Sequence, residues 1–120
     1  MIGCDIVKIE RVAHLYKRHG NKFLEKFMDE GAIGEVGRAE SIAGMWAAKE
    51  AAYKALCLSG ERPSFQGLKI GRETMLDRAG ARNVAVLLQG KEKHKAKWMA
   101  ISVSHDGEYA MAVALINKRI

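Results

Sequence analysis

The sequence contains few of the residues that mark disulfide-rich, membrane-spanning or single-strand-binding proteins. It has two cysteines, one proline, 7% aromatic residues and no apolar run long enough to span a bilayer. Cys4 and Cys57 lie far apart in apolar surroundings, which fits neither a disulfide framework nor a CxxC metal site, so we expect buried free thiols. Basic and aromatic residues do not alternate as they do in single-strand-binding surfaces. The strand-like start, without a basic and then apolar leader, predicts no signal peptide and a cytoplasmic protein.

What the chain does have is the composition of one globular domain, which we place at residues 1–120. Hydrophobic residues make up 48% and charged residues 28% of its 120 residues. Lysine and arginine number 20 against 14 acidic residues, for a net charge of +6. Such a surface favours an anionic partner, which can be nucleic acid, a phosphorylated small molecule or an acidic protein. Charge alone does not choose among these three.

Hydrophobic periodicity predicts an α+β fold with an antiparallel sheet. A strand is expected at residues 2–9, a helix from Ile9 to a stop at Gly20, and a short helix after Asn21. A long alanine-rich helix should begin after Ser41 and end near Gly60. The expected later elements are strands at 67–72 and 82–88 joined through Asp77 and Gly80, a short polar helix at 90–97, and two strands around the hairpin signal Asp106-Gly107.

Asp5 is unusual because it places a carboxylate inside an otherwise apolar strand. Burying an unpaired charge is costly, so a metal ion, a basic side chain or backbone donors should compensate it. The simpler alternative is that Asp5 caps the helix that begins near Lys8. The pattern alone leaves both interpretations open.

Glu50 and Lys54 lie one turn apart on the alanine-rich helix, in the segment WAAKEAAYKAL. At positions i and i+4 they can form a surface ion pair worth ~0.3–0.5 kcal/mol. The same spacing also suits a magnesium-phosphate site, in which the carboxylate holds the cation and the lysine a phosphate oxygen. Mg²⁺ commonly takes only one or two protein carboxylates, so Asp5 and Glu50 would suffice, whereas zinc would favour Cys or His. The alanines leave room for another element, of this chain or of a neighbouring subunit, to approach closely.

Two further features are open to a functional or an ordinary interpretation. His105 ends a strand beside a turn, and a lone histidine there can be a site residue or simply a surface or core residue. Alternation puts Ser104 and His105 on opposite faces, which argues against a Ser-His catalytic pair. The basic run KEKHKAK at 91–97 is either a solvated helix face or a nucleic-acid contact.

Three segments together resemble the signatures of holo-acyl-carrier-protein synthases, the small phosphopantetheinyl transferases. The opening IGCDIVKIERV is similar to their N-terminal signature. WAAKEAAYKAL resembles their central helix, in which an aromatic residue precedes A-x-K-E and a lysine follows one turn later. ISVSHDGEYAMAVA resembles their third signature, a strand running into Ser-x-x-His and a return strand with Tyr-Ala. Order, spacing and length agree over nearly the entire chain.

The resemblance implies transfer of 4′-phosphopantetheine from coenzyme A to a serine of apo-acyl carrier protein, in fatty acid biosynthesis. Adenosine 3′,5′-bisphosphate would be the other product. It also implies that Asp5 and Glu50 hold Mg²⁺ and act with Lys54 as the catalytic set, Lys54 contacting the pyrophosphate or phosphopantetheine. The resemblance also implies that Ser59, Gly60 and His105 bind coenzyme A, with His105 near its nucleotide end.

The resemblance further implies an acidic carrier protein as the partner, which agrees with the +6 charge. Arg11 and Lys22 match basic positions that contact the carrier in the family. Other cations could add electrostatic steering: Lys8, Lys17, Arg18 and Lys26. Family members form trimers with sites between subunits, so we expect a homotrimer, with the alanine-rich helix near an interface. No nucleic acid or membrane partner is expected.

Two departures from the family pattern concern the coenzyme side. Met45 stands where the family usually has arginine, and C-L-S-G replaces a Gly-Thr-Gly-like turn, keeping only Ser59 and Gly60 in a comparable place. Two other functions therefore remain as alternatives. One is a nucleic-acid-binding module that uses residues 91–97 and the first helix. The other is a relative that binds coenzyme A or carrier protein without efficient transfer.

Overall fold

An antiparallel sheet with helices packed against it forms the framework of the protein. The computed structural model describes residues 1–74, 81–89 and 91–117. In these residues the elements are β1 (Ile2–Lys8), α1 (Ile9–His19), α2 (Asn21–Leu24), α3 (Glu30–Ile33), α4 (Ala39–Leu58), β2 (Leu68–Thr74), β3 (Ala81–Gln89), β4 (Glu92–Lys95), β5 (Met99–Asp106) and β6 (Tyr109–Ile116). The strand order is β1-β6-β5-β3-β2, and β4 pairs with β3 beside this path. The predicted α+β class with an antiparallel sheet is confirmed, and the connection through Asp77 and Gly80 lies outside the described residues.

The first helix begins and ends as its sequence predicts, but Asp5 does not cap it. Gly20 ends α1 at a φ of 61°, and its amide donates to the Tyr16 carbonyl. The residue at the N-cap is Lys8, which has an extended backbone and makes no side-chain capping bond. The capping interpretation of Asp5 is therefore wrong, because β1 continues through Lys8 and Asp5 lies inside the strand.

The alanine-rich helix α4 packs on the sheet of its own chain, mainly against β1 and β6. Ala47, Ala51 and Ala55 are fully buried. At Gly3 a Cβ atom would lie 2.2 Å from the Ala51 carbonyl oxygen and 2.7 Å from the Ala55 nitrogen, so β1 can lie this close to the helix only with glycine there. Within this chain, the element that uses the room left by these alanines is β1.

The start of α4 differs from the expected one. The Ile42 amide donates to the Arg38 carbonyl at 3.0 Å, so the helix begins at Ala39 with Arg38 as its N-cap. Ser41 lies within the first turn instead of capping it.

The polar helix predicted at residues 90–97 is wrong, because the middle of this segment is strand β4. Its residues pair antiparallel with Val86 to Gln89 of β3, whose edge supplies backbone partners. All four β4 residues are exposed, so no buried face exists to favour a helical period over a strand period. Lys93 bonds Asp29 at 3.1 Å, and Lys95 lies 3.8 Å from Glu73.

Both cysteines are exposed, which corrects the prediction of buried thiols. Cys4 lies on the side of β1 that points away from α4, alternating with the buried Gly3. Cys57 lies on the part of α4 that the sheet does not cover. In the described residues, no helix is long and apolar enough to cross a membrane.

Candidate active site

Asp5 and Lys54 form an ion pair between the first strand and the long helix. The Nζ atom of Lys54 lies 3.1 Å from Oδ1 of Asp5 and donates a second hydrogen bond to the Cys4 carbonyl at 3.0 Å. Alternation along β1 directs Asp5 to the same sheet face as Gly3, which contacts α4. The close approach at Gly3 therefore brings the Asp5 carboxylate to the last turns of α4. A basic side chain compensates the charge that the sequence places inside the strand.

Glu50 lies one turn before Lys54 and close to the same carboxylate. Burial raises the pKa of Glu50, the negative charge of Asp5 raises it further, and the charges of Lys54 and Lys49 lower it in part. Two carboxylates from separate elements thus repel each other beside the Lys54 ammonium group. The ion pair that Lys54 makes is with Asp5 and not the helical pair with Glu50 that the spacing allowed. The structure brings Asp5, Glu50 and Lys54 together.

In the described ranges, no group of three or more His, Cys, Asp or Glu side chains is placed to hold a metal ion. The Asp5 and Glu50 pair is a smaller donor set than that. Carboxylate oxygens are hard ligands, so this pair could hold a hard cation only if water or a substrate supplied the other ligands.

His105 lies apart from this group within one chain. It pairs with Ala110 on β6, whereas Asp5 pairs with Ala112, so His105 is two strands across and two residues along the sheet. Standard strand spacings put the Cα atoms of Asp5 and His105 roughly 12 Å apart. Ser104 points to the opposite face from His105, as alternation predicts.

Ser59 and Gly60 lie at the end of α4. Ser59 is the C-cap, and its hydroxyl donates to the Leu56 carbonyl at 2.8 Å. Gly60 has a φ of 88°, a conformation that favours glycine. Both residues lie about one and a half turns beyond Lys54, roughly 8 Å along the axis. The turn therefore adjoins the lysine without contributing to its hydrogen bonds.

The two residues expected to contact a carrier protein are exposed on the two N-terminal helices. Arg11 lies on α1, in an open groove that also involves Lys8, His14 and Lys17. Lys22 lies on α2. Met45, which replaces the family arginine, is only 2% exposed and belongs to the hydrophobic core. Its position therefore offers no surface for a cation in this chain.

Lys49 is a buried cation that the sequence reasoning did not single out. It is 2% exposed, its Nζ donates to the Lys26 carbonyl at 2.6 Å, and it lies 4.0 Å from the centre of the Phe65 ring. Burial lowers the pKa of Lys49 to about 8, although the charge of Glu50 acts in the opposite direction. A signal was present in the sequence, since position 49 falls on the stripe of α4 that includes Met45, Ala48 and Ala52.

Comparison with known proteins identifies the family. The sequence model of the 4′-phosphopantetheinyl transferase superfamily matches residues 1–114. A holo-[acyl-carrier-protein] synthase of Campylobacter lari is 36% identical over 119 residues, covering 98% of this chain and 99% of the relative. One from Nitratiruptor sp. is 39% identical and covers 97% of each chain. The crystal structure of the Helicobacter pylori holo-[acyl-carrier-protein] synthase in complex with coenzyme A has 31% identity and a TM-score of 0.70, covering 98% and 100% of the two chains.

The chain belongs to the 4′-phosphopantetheinyl transferase superfamily and is a transferase. Within the superfamily it is a member of the holo-[acyl-carrier-protein] synthases, because relatives with that name match it over nearly their whole length.

Proposed function

We propose that the protein transfers 4′-phosphopantetheine from coenzyme A to a serine of apo-acyl carrier protein, releasing adenosine 3′,5′-bisphosphate. This is the reaction that supplies active carrier protein for fatty acid biosynthesis. The observation that carries the proposal is that Asp5 of β1 meets Glu50 and Lys54 of α4, which lie more than forty residues later in the chain, in a member of this family. The coenzyme A bound to the Helicobacter pylori relative supports the choice of donor.

Asp5 and Glu50 are the residues that would hold Mg²⁺. The charge of Asp5 contributes to the raised pKa of Glu50, and a dication between the two carboxylates would remove that repulsion. Mg²⁺ needs only one or two protein carboxylates when waters and substrate phosphates complete its octahedron, so a pair is sufficient. When bound, the ion would neutralise charge on the pyrophosphate oxygens of coenzyme A.

Lys54 supplies the second positive charge of the site. Its ammonium has three N–H donors, of which two are directed to Asp5 and to the Cys4 carbonyl. The third remains for a phosphate oxygen of the coenzyme. Because the bond to Cys4 involves the backbone, Lys54 is held in place even before substrate binds. A fixed cation stabilises the charge that develops on the departing phosphate without reorganising during the reaction.

Two exposed cations, Arg11 on α1 and Lys22 on α2, together termed the basic face, would contact the carrier protein. Both side chains are exposed, and Lys8 and Lys17 add charge beside Arg11. Complementary charge speeds encounter with an acidic partner and orients it. A nucleic-acid surface at residues 91–97 has less support, since Lys93 and Lys95 are already close to the carboxylates of Asp29 and Glu73.

The active unit would be a homotrimer with sites between subunits. The face of β1 and β6 away from α4 exposes large apolar side chains that lie side by side: Ile2 pairs with Leu115, and Ile6, which is 65% exposed, pairs with Met111. Exposed apolar patches of this kind mark protein interfaces. Assembly would also bring His105 of one subunit toward the carboxylates of another, which it does not approach within one chain.

The deciding experiment is a mass measurement. The protein is incubated with coenzyme A, Mg²⁺ and several apo-acyl carrier proteins, and each carrier is weighed by mass spectrometry. The expected result is a gain of one phosphopantetheine group on a serine, with adenosine 3′,5′-bisphosphate released in equal amount. Binding of coenzyme A without any gain in carrier mass would instead identify a relative that has lost transfer.

A further inference from the structure

Lys49 joins two parts of the molecule that carry different proposed tasks. It lies on α4 directly before Glu50, and its Nζ donates to the carbonyl of Lys26 at 2.6 Å. Lys26 lies in the turn that follows α2, four residues after Lys22 in the chain. The Lys49 side chain therefore connects α4, which carries Glu50 and Lys54, to the segment that carries Lys22.

The surroundings of Lys49 make this contact costly to replace. The side chain is 2% exposed, and its charge is compensated by the Lys26 carbonyl, by the Phe65 ring, whose centre is 4.0 Å away, and by the neighbouring Glu50. A charged group in such a place is tolerated only when it is hydrogen-bonded, and a ring face adds a further attraction. An apolar side chain of similar length would fill the space without a donor for the carbonyl.

Other contacts hold the same segment. Phe23 and Phe27 pack against Trp46 of α4, with ring centres 5.7 Å and 5.3 Å apart. The end of the segment is tied to β2, because the Phe27 carbonyl accepts from the Ile70 amide at 2.9 Å and the Asp29 amide donates to the Ile70 carbonyl at 2.8 Å. The Lys49 bond adds a directional contact to α4. Loss of Lys49 should therefore leave the segment in place and make its position relative to α4 less defined.

We propose that Lys49 is a positioning residue for carrier-protein binding. It ties the helix of Glu50 and Lys54 to the segment of Lys22, so that the distance between Lys22 and the site of transfer stays constant. This role rests on the proposed function, since it assumes that Lys22 contacts the carrier while Lys54 contacts the coenzyme. It predicts an effect on the carrier that is separate from any effect on coenzyme A.

The test is steady-state transfer with the carrier and coenzyme A varied separately. In Lys49→Met the KM for apo-carrier should rise about tenfold, the order expected for one lost hydrogen bond to a charged group. The KM for coenzyme A and kcat should stay within about twofold, because no coenzyme contact is assigned to Lys49. The matched control is Lys69→Met, which removes a charge near Lys49 but not the bond to Lys26. It should leave all three parameters within about twofold.

Hydrogen exchange gives a readout that does not need transfer. Backbone amides of residues 22–28 should exchange faster in Lys49→Met than in the wild type or Lys69→Met, while those of α4 keep their protection. If Lys49→Met does not fold, Phe65→Leu takes its place. It removes the ring and keeps the hydrogen bond, and a rise of about threefold in the carrier KM is expected.

The positioning role is overturned if carrier and coenzyme KM rise together, if Lys69→Met has the same effect as Lys49→Met, or if exchange in residues 22–28 does not change. Failure of the wild type to modify any carrier would contradict the proposed function instead. In that case the exchange measurement still decides whether Lys49 defines the position of the segment.

Discussion

The Lys54 ammonium lies 3.1 Å from the Asp5 carboxylate, across 49 residues of sequence. It also donates to the carbonyl of Cys4, the residue just before Asp5. Lys54 is therefore hydrogen-bonded to β1 through one side chain and one backbone carbonyl. This double contact depends on the close approach of β1 to α4 at Gly3. The candidate site is therefore a property of the interface between one strand and one helix.

Removing either carboxylate should abolish transfer and leave the fold intact. For Asp5→Asn and Glu50→Gln we expect transfer at ordinary Mg²⁺ concentrations to fall by at least about a hundredfold, because the paired ligands are lost. The assay is carrier mass against time, with circular dichroism as the check on folding. Glu108→Gln, an exposed change in the hairpin, should keep wild-type activity. Near-native turnover by either variant would remove that residue from the metal assignment.

A methyl group at Gly3 should separate β1 from α4. The added Cβ would lie 2.2 Å from the Ala51 carbonyl oxygen, a backbone atom that cannot move aside alone. We expect Gly3→Ala to lose about 1–3 kcal/mol of unfolding free energy in urea and most of its transfer activity, because Asp5 moves away from Lys54.

Gly34→Ala is the matched control for this change. A Cβ there meets nothing within 4 Å, and its φ of −69° suits alanine. Its unfolding free energy should change by less than about 0.5 kcal/mol in either direction. Equal stability of the two variants would show that the strand does not need glycine to approach the helix.

The free energy of unfolding should depend on pH in the alkaline range because Lys49 is buried. Burial lowers its pKa from 10.5 to about 8, so between these values the unfolded chain binds more protons than the folded protein. The contribution of Lys49 to stability is therefore lowest below pH 8 and rises as the pH increases toward 10.5.

The measurement is urea unfolding of the wild type and Lys49→Met at several pH values. The difference in unfolding free energy should shift in favour of the wild type by up to roughly 3 kcal/mol across the window. Other titrating groups are common to both proteins and cancel in the difference. A constant difference would mean that Lys49 keeps its ordinary pKa in the folded protein.

A charge on the apolar sheet face should prevent assembly. Ile6 is 65% exposed in one chain and lies beside Met111. We expect Ile6→Lys to reduce the mass measured by light scattering from three chains to one, because an interface would have to bury the unpaired ammonium. Glu35→Lys, on an exposed segment away from this face, should leave the mass unchanged. A wild type that is already monomeric would contradict the homotrimer.

Neutralising the first helix should weaken carrier binding and its dependence on salt. In Arg11→Ala the KM for apo-carrier should rise about three- to tenfold at low ionic strength and by less at high ionic strength, since screening removes the same interaction. Arg72→Ala, an exposed arginine on β2, is the control. An unchanged KM would move the carrier contact away from α1.

Several features of the site could be predicted because their causes are local. The period of apolar residues and the glycine at position 20 predict α1, and the Asp106-Gly107 turn predicts the last hairpin, whose Gly107 has a φ of 60°. Asp5 was noticeable since a carboxylate in an apolar strand requires compensation. The helix predicted at residues 90–97 is wrong because the conformation of β4 depends on the edge of β3 rather than on its own side chains.

Which residues carry charge, and where helices and strands repeat, follows from side-chain chemistry and from backbone preferences within a few residues. The partners of those charges depend on long-range packing. Lys54 could pair with Glu50 on its own helix, yet it pairs with Asp5, because Gly3 lets β1 lie against α4. Lys49 reads as another polar helix residue, yet it is buried, because Phe65 and the Lys26 carbonyl close over it. The partners of Lys54 and Lys49 come from distant parts of the chain, so neighbouring residues in the sequence do not reveal them.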